Sequence, residues 1–88
     1  ISVAFSKPIG TACIDFMADK AGDYTLSLLD ANGKAINAKV TAAQPGMQTI
    51  TLPENGSALP ASANITQLVL RGAGSSLIQR LTLSKAAG

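Results

Sequence analysis

Apolar residues in this chain recur at every second position in short runs, and turn-forming residues interrupt the runs about every ten positions. A helix cannot bury such a face, because its apolar stripe needs spacings of three and four. Strands can. Seven short amphipathic strands hide their apolar sides only against one another, so the pattern predicts an all-β fold, an antiparallel β-sandwich of jelly-roll type. Residues 1–88 hold one such domain and leave no room for a second core.

Ile1, Val3 and Phe5 share the inward phase of the first run, which Lys7-Pro8-Ile9-Gly10 ends, since proline lacks the ladder donor. Thr11 to Ala18 follows, with Ala12, Ile14 and Phe16 inward and Cys13 and Asp15 on the opposite face. The turn Asp19-Lys20-Ala21-Gly22 leads into Asp23 to Asp30, where Tyr24, Leu26 and Leu28 alternate with Thr25 and Ser27. Within Asp30-Ala31-Asn32-Gly33-Lys34, the Asn-Gly pair readily takes positive φ. It predicts an antiparallel hairpin whose second arm carries Ile36, Ala38 and Val40.

After Gln44-Pro45-Gly46, residues Gln48, Ile50 and Leu52 alternate with Thr49 and Thr51. Pro53 to Ala63 is the one long connection, suited to a crossing between sheets. Asn64 to Arg71 is apolar on both sides and therefore central; Leu77 to Ser84 is the last strand, and Lys85 to Gly88 is expected to fray. The inward phases combine into an expected core of Phe5, Ile14, Phe16, Leu26, Leu28, Val40, Ile50, Leu68, Leu70 and Leu81.

What the chain lacks narrows its chemistry. It has no His and no Gly-x-Ser-x-Gly elbow, so nucleophilic catalysis has no ordinary base. The carboxylates Asp15, Asp19, Asp23, Asp30 and Glu54 are not spaced so as to force a pair, and the expected function is not enzymatic. Cys13 is the sole cysteine, which rules out an intrachain disulfide and a Cys/His zinc site. The seven Lys and Arg residues lie scattered, which argues against nucleic acid as a partner. No apolar run approaches the ~20 residues of a membrane-spanning helix, so membrane insertion is not expected.

The order "KPIGTACIDFMADKAGDYTLSLLDANGKAI", then "TQLVLRGAG", then "LIQRLTLS", resembles the galactose-binding-like jelly-roll domains of bacterial secreted and surface proteins. Nearly the whole chain is covered. The motifs are turn and core patterns, and where such domains often close on an Ile-Asp-Asn-Leu-like strand this chain reads Ile78-Gln79-Arg80-Leu81. The resemblance implies a non-catalytic, carbohydrate-binding-like accessory module, secreted or at the cell surface, with a glycan as partner. It brings no cofactor beyond the option of a structural calcium, for which Asp19 and Asp23 bracket one loop; the same two residues also suit turn hydrogen bonds. With only Phe5, Phe16 and Tyr24 aromatic, a sugar would be held by polar groups, and the expected contacts are Tyr24, Gln67, Arg71 and Arg80.

A structural role is the alternative. Ile1-Ser2-Val3-Ala4-Phe5-Ser6 is uncharged and alternating, which suits a spacer in a larger chain or self-association through the N-terminal strand.

Overall fold

A computed structural model describes residues 1–88. Its strands are β1 (Ser2–Ala4), β2 (Ile9–Ala18), β3 (Gly22–Asp30), β4 (Ala35–Ala42), β5 (Gly46–Leu52), β6 (Ile65–Gly72) and β7 (Ser76–Lys85), with one 3-10 turn at Ala61–Ala63. They form two antiparallel sheets, ordered β1-β6-β3-β4 and β5-β2-β7. The pairs are nested: β1 with β6, β2 with β5, and β3 with β4. Nested pairs wound over two facing sheets are the jelly-roll arrangement, and β7 is added on the remaining edge of β2. Only the β3–β4 hairpin stays within a sheet; every other connection crosses between them, including the long one before β6.

The alternation places one apolar face of each sheet against the other, and Ile14, Phe16, Leu26, Leu28, Ile50, Leu68 and Leu70 are buried as expected. Phe5, Val40 and Leu81 pack against that core while only partly buried. Val40 and Leu81 stand on the outermost strands of their sheets, and Phe5 follows the outermost β1, so each has neighbours on one side only. β6 lies between β1 and β3, the central place its two apolar sides predict.

At the hairpin, the Asp30 and Gly33 N–H groups donate to Lys34 O at 2.9 Å and Asp30 O at 3.1 Å. Asp30 Oδ1 accepts the N–H groups of Asn32 and Lys34, each at 2.9 Å. Gly33 has φ of 84° while Asn32 does not leave negative φ, so the Asn-Gly pair makes a turn followed by a glycine bulge.

The C-terminal tail is not frayed. Ala87 N–H donates to Leu59 O at 2.8 Å, and Ala61 N–H donates to Ala87 O at 3.1 Å. The long connection therefore supplies the tail with a backbone partner that alternation in the tail itself cannot signal. Leu59 N–H in turn donates to Gly10 O at 2.9 Å. Gly10 is required there, because a Cβ on it would stand 2.3 Å from Lys85 O and 2.9 Å from Ala58 Cβ.

Candidate functional site

Two flat faces look outward, one on each sheet. On the four-stranded sheet, register sets Arg71, Thr25 and Lys39 in one row across β6, β3 and β4. The next row is Ser2, Val69, Ser27 and Asn37, and beyond it Ala4, Gln67, Leu29 and Ala35. Seven of these eleven side chains are polar or charged, because the period of two turns every other residue of a strand away from the core. Ser27 Oγ donates to Asn37 Oδ1, and Gln67 Nε2 donates to Ser2 Oγ at 2.9 Å.

Electrostatics on this face centres on Asp23. Thr41 Oγ1 donates to Asp23 Oδ1 at 2.6 Å, and Lys39 Nζ lies 3.6 Å from Oδ2. The Thr41 hydrogen bond first, and the Lys39 charge second, hold the Asp23 carboxyl below its ordinary 3.8. Lys39 is thereby engaged, whereas Arg71 is exposed and stands in no ion pair.

Of the four residues expected to meet a sugar, Gln67 and Arg71 do share this face. They lie about 13 Å apart along β6. Arg80 does not join them: it projects from the outer face of the other sheet, opposite Asp15. Tyr24 is a correction. Its ring is fully buried, 5.3 Å between centroids from Phe16, and its hydroxyl donates to Lys20 O at 2.8 Å. The polar tip that suggested a ligand contact is satisfied by the turn backbone, and the ring belongs to the core. No exposed aromatic platform is left, because Phe16 is buried too and Phe5 packs against the core.

The two carboxylates that bracket the expected calcium loop have different neighbours. Asp23 is directed across the sheet to Thr41 and Lys39. Asp19 instead lies against the β6–β7 connection, its Oδ1 in the space a Cβ on Gly74 would occupy. No group of three or more His, Cys, Asp or Glu side chains gathers anywhere, while calcium takes six to eight oxygens. β1 pairs with β6 on one side, Ile1 amino nitrogen donating to Leu70 O at 3.0 Å and Leu70 N–H donating to Ile1 O at 2.8 Å, and as the outermost strand of its sheet it has an open second edge.

Two features were not expected from the residue pattern. A groove of about 490 Å³ opens beside the β1–β2 connection, lined by Phe5, Pro8, Ile9 and Leu83 together with Lys7 and Lys85. On the three-stranded sheet, Met47, Met17 and Leu77 form one exposed row. No helix is long and apolar enough to cross a membrane. Comparison with known protein families, curated proteins and solved structures gives no match.

Proposed function

We propose that this domain is a non-catalytic binding module that holds short or terminal sugars on the outer face of its four-stranded sheet. The observation that carries the reading is the row Arg71–Thr25–Lys39, flanked by Ser27, Asn37 and Gln67. A flat face of hydroxyl, amide and guanidinium groups suits a ligand rich in hydroxyls, and the unpaired Arg71 favours one carrying a carboxylate or sulfate. With no aromatic platform, hydrogen bonds supply orientation and affinity is weak. The resemblance to galactose-binding-like domains supports the same reading.

Titrating neutral and uronic-acid oligosaccharides into labelled protein, followed by amide chemical shifts, tests it. Shifts should cluster at Thr25, Asn37 and Arg71, and Arg71→Ala should remove them with the fold intact. Silence of these amides up to millimolar sugar, or shifts confined to the other sheet, would overturn it. A structural role is the second reading, favoured by the exposed Met47–Met17–Leu77 row.

A further inference from the structure

We propose that the outer face of the three-stranded sheet is the contact between two copies of this chain. This inference is independent of sugar binding, which uses the opposite sheet. Met47, Met17 and Leu77 are 51%, 40% and 66% exposed and lie side by side across β5, β2 and β7. Isolated exposed apolar residues are ordinary, but three in one row on a flat sheet mark an interaction surface.

The rest of the face is built to lose water at little cost. Thr49 Oγ1 donates to Asp15 Oδ1 at 2.7 Å, Thr51 Oγ1 donates to Cys13 Sγ at 3.4 Å, and Thr11 Oγ1 donates to Ser84 Oγ at 2.6 Å. These hydroxyls are thus satisfied sideways, within the sheet, and burying them strands few polar groups. No lysine stands in these rows to keep another sheet away.

Charge identifies the occupant. The face carries one acid, Asp15, and one base, Arg80, opposite each other in register but not joined in an ion pair. A surface with one charge of each sign side by side is complementary to itself, as a two-fold contact requires. Rotation by 180° about an axis between β2 and β7 lays β2 of one copy over β7 of the other. Met17 of each copy then packs over Leu77 of the other, and each Arg80 meets the Asp15 of the second copy. Sheets packed face to face lie about 10 Å apart, a gap that an arginine and an aspartate reaching from opposite sides span between them.

Light scattering and sedimentation of the 88-residue chain, from micromolar to millimolar concentration, should show the mass rising from 8.9 kDa toward twice that value. Met17→Lys should hold it at the single-chain mass. Arg80→Glu should weaken association roughly tenfold or more, and adding Asp15→Arg should recover it. Circular dichroism melts verify that each variant folds, which is expected since these side chains point outward. Thiol labelling gives a second readout: Cys13 should react more slowly as concentration rises, except in Met17→Lys. A single-chain mass at every concentration, or association that Met17→Lys and Arg80→Glu leave untouched, overturns the proposal.

Discussion

Gly72 stands directly across from Tyr24 in the antiparallel register of β3 and β6, with the phenol ring laid over it. A Cβ placed on Gly72 would come 2.0 Å from Tyr24 Cδ2 and 2.5 Å from Cε2. Carbon atoms in ordinary contact lie about 3.5–4.0 Å apart, so the ring would have to retreat by roughly 1.5 Å. It has nowhere to go, being fully buried against Phe16 and tethered through its hydroxyl to Lys20 O. Gly72 does not hold a positive φ, so the penalty of Gly72→Ala is steric rather than conformational. Overpacking at the upper end of about 1–3 kcal/mol, less the ~0.5–1 kcal/mol gained by removing glycine's freedom when unfolded, leaves a loss of about 2 kcal/mol. For a chain of this size that is a Tm lower by roughly 8–16 °C. Urea melts followed by circular dichroism measure it. In a Tyr24→Leu background, where the ring is gone, the same substitution should cost less than about 1 kcal/mol. An unchanged or raised Tm for Gly72→Ala, or an equal penalty in both backgrounds, refutes the reasoning.

Two further outcomes follow from the geometry. The Asp23 carboxyl should titrate below 3.8 by NMR, and Thr41→Val, which removes the larger cause, should move it back up. Because its folded value is depressed, the stability Asp23 contributes is present above pH 3.8 and fades as pH falls through the lower folded value. A titration at or above 3.8 in the unmodified protein would refute the Thr41 and Lys39 contacts. Deleting Ala86 to Gly88 should lower stability by about 1–2 kcal/mol, through the two backbone hydrogen bonds Ala87 makes with Leu59 and Ala61. A truncated chain that melts with the full one would return the tail to the frayed state expected from its sequence.

Strand alternation carries the fold because it is a local property: each inward phase of β2, β3 and β6 is read correctly from neighbouring residues alone. The tail and the hydroxyl of Tyr24 escape that reading for one reason, although alternation sets the tyrosine ring in phase with Leu26 and Leu28. Their partners, Leu59 and Ala61 for the tail and Lys20 O and Gly72 for the tyrosine, come into place only through pairings between distant or turn segments. A polar tip at a strand start reads as a surface contact until the carbonyl that satisfies it is located. Gln67 and Arg71 were legible as a pair because they lie on one phase of one strand. Arg80 was not separable from them, since which sheet a strand joins is a matter of topology.

The exposed row on the three-stranded sheet shows the limit of alternation most sharply. In Leu77-Ile78-Gln79-Arg80-Leu81-Thr82-Leu83, strict alternation assigns Leu77, Leu81 and Leu83 to one side and Ile78 and Arg80 to the other. The structure pairs Phe16 with Ile78 and Asp15 with Arg80, leaving Gln79 as an extra residue in β7. One inserted residue exchanges the faces of everything before it. Ile78 is thereby turned inward with Leu81, while Leu77 is turned out beside Met17. Had the strand run without the bulge, Leu77 would face the core and the apolar row would shrink to two methionines. Arg80 follows the insertion and faces outward with Asp15 by plain alternation from Leu81, so the bulge adds the apolar row beside a charge pair already in place. Bulges on outer strands also disturb pairing along the free edge, which leaves the flat face, rather than the rim of β7, as the surface open to a second copy.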